Sequence, residues 1–590
     1  MAVTRSINSR LTPLIDIAII GGGVAGAYTA YRLMEADPDS SPALRHLLRL
    51  STKNRLEVGL FEVNNRIGGR LWSYRFSDMP TLPVEIGGAG FAELQQNVHG
   101  LCTKELGLSF RPSSSYNKVY FHYLRGHRFN HDQYTPREDQ KVSCYYPNII
   151  PYFLREEEKW KDPDHLIQEV SLKKVEAKIS EIIRRIVEVL ERKNIDQALT
   201  EIRGLVHCLR LATVRDDSSA SASRPIYEYG FWNLLADALS TEAYQLALHS
   251  SFTFSSFRSF NFYDLLLERL ILFFHYMLNP RPWYELENGY QELPLTLIER
   301  FKNKGGSVYL QRQLYSLQLV EDNNEQFIAL TLGAPGSPNR SILYTRYVVL
   351  ALPQRALKLL DPNSFIFHNP GFRTDMNAVI PVPVSKLFLS YDSPWWETIG
   401  REEDKVPKER ITGGYSTTDL PLRACYYIGA QKDGKALLLA SFSDDIANQF
   451  WDGYRTTAHL DIHSLPSLES QNDEERLLAS DRMIATAQQQ LKELHKYDGI
   501  PKPRTAIYYN WMNDPFGGGW HYWRPYVRSW EVIPRIRQPL SNVNVFLCGE
   551  AYSAMQGWVE GALNTAEMVL ETHFQLSRPS WVSSEYDFGP

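Results

Sequence analysis

Two glycine-rich segments at opposite ends of this chain ask for the same kind of ligand, and no other feature constrains its fold as much. The apolar run IDIAII is followed at once by GGGVAG, so Gly21, Gly23 and Gly26 form a G-x-G-x-x-G turn between a buried strand and the helix AYTAYRLM. Such a turn sets a helix N-terminus and bare backbone N–H groups where a pyrophosphate can sit, and Val24 and Ala25 belong to the same binding turn. A second strand, RLEVGLFE, ends in Glu62, whose carboxylate is placed to accept hydrogen bonds from ribose hydroxyls. The plainer alternative is a solvated strand-end glutamate. Glu62 lies 36 positions after Gly26, where about 20 is usual, and the polar stretch ADPDSSPALRHLLRLSTKNR reads as the insertion responsible. In NNRIGGRLWS, Arg66 and Arg70 flank Gly68 and Gly69, a composition suited to a loop that folds over a diphosphate.

Near the other end, the strand NVNVFLCGE leads through AYSAMQ into GWVEGALNTAEMVL, a helix with small residues at helical spacing. Gly549 and Glu550 are placed to meet a polyol, and the helix that begins near Gly557 and Val559 points its positive end at the ligand. A nicotinamide enzyme needs only one such fingerprint. A cofactor grasped by both ends of the chain is expected to be FAD.

With 590 residues the chain is far above the ~250–300 at which a single core stops growing, so at least two domains are expected. The reading is an α/β fold: a discontinuous Rossmann-like FAD-binding domain from 10–80, 285–360 and 540–575, and a mixed-sheet substrate domain from 81–155 and 361–539. Residues 156–284 form a helical insertion. There LIQEVSLKKVEAKISEIIRRIVEVLERK has apolar residues three and four apart, the period of an amphipathic helix, and DDSSASAS reads as a loop. GGSVYLQRQLYSLQLV alternates like paired strands, and RYVVLALP reads as a buried strand stopped by Pro353.

A net charge of -5 gives no electrostatic case for nucleic acid. The five cysteines, Cys102, Cys144, Cys208, Cys425 and Cys548, have neither metal-ligand spacing nor an even disulfide framework, so no metal and a reducing, cytoplasmic setting are expected. The first apolar run is the nucleotide-binding strand itself, so no signal peptide is read, and the tail QLSRPSWVSSEYDFGP lacks the ~20 apolar residues of a membrane helix. The 12% aromatic content can line a large apolar pocket, although most of these rings must fill cores.

The segments GGGVAG, FEVNNRIGGRLWS, VEIGGAGFAELQQNVHGLCTKELGL, VVLALP, VSKLFLSYDSPWWE and CGEAYSAMQGWVEGALNTAE occur in the order found in flavin-containing amine oxidases, and the chain resembles that family outside its helical middle. YGFWNLLADALSTEAYQLAL, ENGYQELPLTLIERF, TTDLPLRACYY and DPFGGGWHYWRPY look most like bacterial L-amino acid oxidases, including those acting on basic amino acids such as L-arginine. The resemblance implies that Gly87, Gly88, Ala89 and Leu314 also touch the cofactor. It makes Lys386 the lysine that holds a water near flavin N5, and Trp558 the ring that faces the flavin and sandwiches the substrate amine. Partial burial would lower the pKa of such a lysine and let it handle protons. In many L-amino acid oxidases an arginine grips the substrate carboxylate where this chain has Gly90, so another cation is required. Arg524 in WHYWRPY and Arg423 in PLRACYY are the candidates, with Tyr427 and Trp520 in the pocket wall and His521 as a packed histidine.

The function expected is FAD-dependent oxidation of an L-amino acid by O2 to imino acid, then 2-oxo acid and ammonia, with release of H2O2. No partner beyond these small molecules is expected, neither nucleic acid nor membrane, with a homodimer left open. Gly90 favours a monoamine or polyamine oxidase as the alternative. A flavin desaturase or a non-catalytic flavoprotein would share the nucleotide motifs without the amine pocket.

Overall fold

Four parallel strands place their carboxyl ends along one sheet edge, and three of them lead into a residue the sequence assigned to the cofactor: Gly21, Glu62 and Gly549. Leu14–Ile20 lies between Val58–Phe61 and Ser341–Leu350, and Val545–Leu547 pairs with the far end of Ser341–Leu350. Val58–Phe61 and Val545–Leu547 are buried throughout, as strands covered on both faces must be. The connecting backbone keeps this register, with Gly21 N–H on Phe61 O (2.8 Å), Ala351 N–H on Ile20 O (2.9 Å) and Cys548 N–H on Leu350 O (3.1 Å). The computed structural model describes residues 12–51, 53, 55–115, 118–130, 151–159, 161, 163, 166–167, 177–214, 223–251, 260–279, 281–399, 411–455 and 477–590.

The long spacing before Glu62 is a second helix, Pro42–Leu50. Ser41 caps it by accepting from Leu44 N–H (3.0 Å), Pro42 starts it, and Leu44 and Leu47 are its buried stripe. The segment GGSVYLQRQLYSLQLV does not pair with itself. Its first part, Ser307–Tyr309, extends the parallel row beside Val58–Phe61, while Gln313–Asp322 pairs with Glu325–Gly333. Asn323 and Asn324 close that hairpin at positive φ, a conformation asparagine tolerates.

The second sheet runs in the order Thr505–Asn510, Val384–Tyr391, Ala436–Asp444, Ala424–Ala430, Tyr415–Thr418, Val119–Leu124, His127–Asn130. Its strands are antiparallel except where Tyr415–Thr418 meets Val119–Leu124. Along the wholly buried strand Val384–Tyr391 the period is two: Leu387, Leu389 and Tyr391 enter one core, Val384 and Phe388 the other. Lys386 shares the face of Val384 and Phe388.

Helices Ala177–Glu191, Ile195–Leu211, Phe231–Ala238, Thr241–Ser250 and Phe262–Leu278 supply most of a further core, which Leu124 and Phe129 of the second sheet join. The loop read in DDSSASAS lies outside the described residues apart from its last serine, as do residues 168–176 of the amphipathic pattern and Cys144. No helix among the described residues is long and apolar enough to cross a membrane, and no cluster there could hold a metal ion.

Candidate active site

A cavity of about 820 Å³ runs from the carboxyl edge of the parallel strands to the Lys386 face of the second sheet. At its first end two helix N-termini converge. Val24–Glu35 starts at Gly23 and Val559–His573 at Trp558, neither has a side-chain cap, and Gly23, Val24, Ala25, Trp558 and Val559 all line the cavity. Uncapped N–H groups aimed into a cavity suit an anion. Gly21 has φ +109°, and a methyl group there would lie 2.5 Å from the carbonyl oxygen of Ala351. Gly26 is not on the wall; it lets the helix settle on the strand, since a methyl group would meet Gly21 O at 1.9 Å.

Glu62 is buried on the cavity wall. One carboxylate oxygen accepts from Gly22 N–H (2.5 Å) and the other from the backbone and side chain of Asn64 (both 2.9 Å). Burial raises its pKa, and these bonds oppose the rise. Gly69, Leu314, Gly549 and Gly557 complete this lobe.

Two expected ligands of the cofactor act instead as braces. Arg66 does not line the cavity: its guanidinium lies over the Trp72 ring (4.4 Å) and donates to Gly69 O (2.8 Å), fixing the loop from behind. Glu550 reaches the wall, but its oxygens are taken by Arg70 Nη1 (2.7 Å), His521 Nδ1 (2.9 Å), His521 N–H (3.0 Å) and Gly557 N–H (2.7 Å). Burial alone would raise its pKa; the Arg70 charge and the His521 and Gly557 contacts outweigh it and hold the carboxyl at about 2. Glu550 therefore locks the C-terminal helix start to the Arg70 loop, rather than presenting free oxygens to a polyol. His521, read as a packed histidine, is fully buried and belongs to this lock.

At the other end of the cavity, Lys386 Nζ donates to the carbonyl oxygens of Glu85 (2.8 Å) and Gly87 (2.6 Å). An ammonium has three hydrogens, so one is left for a third acceptor. Burial depresses the Lys386 pKa against the pull of the Glu85 carboxylate, and burial raises that of Glu85. Gly87, Gly88, Ala89 and Gly90 form the adjoining wall. Trp558 faces the same space and is stacked on Trp283, with centroids 5.0 Å apart and planes 10° from parallel. Its Nε1 lies 3.4 Å from Glu268 Oε1, and burial pushes the Glu268 carboxyl up to about 7. Trp520 also lines this end.

Three residues read as pocket residues lie elsewhere. Arg524 is exposed, with Nε donating to Asn377 O (2.8 Å). Arg423 is fully buried and donates to Thr418 O (2.7 Å), Leu248 O (2.8 Å) and Ser251 O (2.7 Å), strapping the second sheet to the helical layer. Tyr427 hydrogen-bonds Ser416 Oγ and His495 Nε2 (both 2.9 Å) in the core behind the sheet. Its neighbour Tyr426 lines the cavity, so the reading of that strand was off by one residue. Trp283, Glu85, Glu268, Glu285 and Arg111 are wall residues that sequence reasoning missed. Glu268 and Arg269 carried a usable signal, as adjacent charges inside the apolar helix FYDLLLERLILFFHYML.

The sequence profile of flavin containing amine oxidoreductases matches residues 29–570. The chain belongs to this family. Among its relatives, aplysianin-A of Aplysia kurodai is 25% identical over 587 residues, covering 95% of this chain and 90% of that protein. An L-amino-acid oxidase of Mus musculus is 23% identical over 450 residues, 75% of this chain and 55% of that protein. A solved structure of putrescine oxidase bound to putrescine superposes with a TM-score of 0.53 at 14% identity, covering 94% of this chain and 98% of the other, a likeness of fold. The family's cofactor is a flavin, here FAD, and the wall fits it: a buried carboxylate at the adenosine end, two uncapped helix N-termini for the diphosphate, and Lys386 and Trp558 where the ring system would end.

Proposed function

We propose that this member of the family deaminates L-amino acids oxidatively. The substrate loses two electrons and two protons from its Cα–H and amine, and water hydrolyses the imino acid to a 2-oxo acid and ammonia. FAD, when bound, takes the electron pair and delivers it to O2, which leaves as hydrogen peroxide. The observation that carries this reading is that Lys386 and the Trp558–Trp283 stack open onto the cavity that the nucleotide-binding edge begins.

The stacked indoles give the amine a dry wall, and removal from water disfavours the ammonium, leaving the neutral amine whose Cα–H can leave as hydride. Lys386, held by two carbonyls, keeps one N–H for a water or product oxygen and sits where burial favours proton release. Glu268, beside Trp558, gives the pocket an acidic end and supports a basic or bulky side chain, with L-arginine as the leading candidate. The likeness to the murine L-amino-acid oxidase supports the same reading.

Gly90 favours a second reading, an amine oxidase whose substrate lacks a carboxylate. A peroxide assay against the L-amino acids and their decarboxylated amines separates the two: turnover of amino acids above their amines supports the first, and turnover of amines alone establishes the second.

A further inference from the structure

Among the described residues five arginine and lysine side chains line the cavity, and four of them already have partners. Arg70 is bound to Glu550 and Gly519 O, and Lys386 to the carbonyls of Glu85 and Gly87. Arg312 lies at the adenosine end, its Nη1 donating to Gln311 O (3.0 Å). Arg269 lays its guanidinium over the Phe231 ring in the helical layer (5.2 Å). The fifth, Arg111, pairs with Glu285 at 3.6 Å, and half of its side chain is exposed. A guanidinium carries five N–H donors, so one long contact with Glu285 leaves donors for a second acceptor.

Its position follows from strand register. Trp283–Leu286 is the middle strand of a small antiparallel sheet, with Phe91–Ala92 on one side and Phe110–Pro112 on the other, and Glu285 stands opposite Arg111. Side chains two apart on a strand share a face, so Glu285 is on the face of Trp283, the ring stacked on Trp558. Opposed residues also share a face, which brings Arg111 there too. Gly90, just before the first strand, cannot contribute a group: a methyl there would lie 2.6 Å from Tyr284 O. Glu285 is fixed by Ser113 Oγ, so it can hold the arginine without closing on it.

We propose that Arg111, steadied by Glu285, is the cation that seats the α-carboxylate of the substrate beside the Trp558–Trp283 stack. The proposal rests on the amino acid reading above and names the group that makes it possible. Half of the Arg111 side chain is exposed, and the two guanidinium edges allow a bidentate contact with an incoming carboxylate while Glu285 stays in place.

The test uses the FAD-loaded protein in wild-type, Arg111→Leu and Arg111→Lys forms, with the visible flavin band reporting cofactor content. Benzoate, a carboxylate without an amine, is titrated against the flavin spectrum, and kcat/KM is measured for an L-amino acid and its decarboxylated amine. The expected result is a benzoate Kd raised about tenfold or more by Arg111→Leu, less by Arg111→Lys, with the amino acid to amine ratio of kcat/KM falling about ten- to a hundredfold. Wild-type protein that does not bind benzoate, or Arg111→Leu protein that binds it within twofold of wild type, overturns the proposal. Wild type that oxidises amines and no amino acid overturns the functional reading instead, and the benzoate titration still decides whether Arg111 is a carboxylate site.

Discussion

Trp283 lies flat against Trp558, with ring centroids 5.0 Å apart and planes inclined by 10°. One ring comes from a four-residue strand and the other from the start of the C-terminal helix, so this wall of the cavity is a joint between distant parts of the chain. Aromatic pairs contribute about 0.5–1.5 kcal/mol beyond the area they bury. Trp283→Leu should therefore lower kcat/KM about two- to tenfold while FAD content stays at the wild-type level. Steady-state kinetics alongside the visible spectrum check this, and an unchanged kcat/KM would separate the stack from catalysis.

Lys386→Met removes the ammonium but preserves length and apolar character on a wholly buried strand. A positioned proton-handling group is typically worth about 10²–10⁴ in rate. Either substrate oxidation or reoxidation by O2 should slow by that order, with FAD still bound. Stopped-flow half-reactions measure both, and two wild-type rates would make the lysine structural.

Glu268 sets a pH dependence. Its carboxyl is pushed up to about 7 by burial, against 4.5 ordinarily, so between those values the folded protein holds a proton that the unfolded chain has lost. That contribution is complete below pH 4.5 and is lost as pH rises through 7. Glu268→Gln should flatten the decline of Tm across this window. It should also weaken turnover of L-arginine or L-lysine more than that of L-phenylalanine above pH 7, where the wild-type carboxylate is ionised. Thermal melts from pH 4.5 to 8 and paired substrate kinetics are the measurements.

At Gly23 a methyl group would have Gly69 Cα as its nearest neighbour, 3.9 Å away, so the backbone tolerates a small side chain. An indole there would instead fill the space in front of the helix N–H groups. Gly23→Trp should purify colourless and folded, whereas Gly23→Ala should keep part of its flavin; absorbance and circular dichroism of the two proteins decide this.

The two ends of the site were legible because their signals are local. The strand and turn at GGGVAG and the helix after Gly557 depend on residues a few positions apart, and they open onto the same cavity. What was lost depended on facing. Tyr427 and Tyr426 differ by one position on a strand, and only the pairing partners determine which enters the cavity. Arg423 and Arg524 are ordinary arginines in sequence; one is satisfied by three carbonyls and the other is at the surface. Trp283, Glu285 and Arg111 sit on strands of three and four residues, too short for a period to register.

The most direct test of the account is anaerobic titration of the purified yellow protein with each L-amino acid and its D enantiomer, followed by admission of air. The account predicts that L-arginine or another basic or bulky L-amino acid bleaches the flavin band, its D enantiomer does not, and air restores the band with one hydrogen peroxide released per flavin. A band that no L-amino acid bleaches would contradict it.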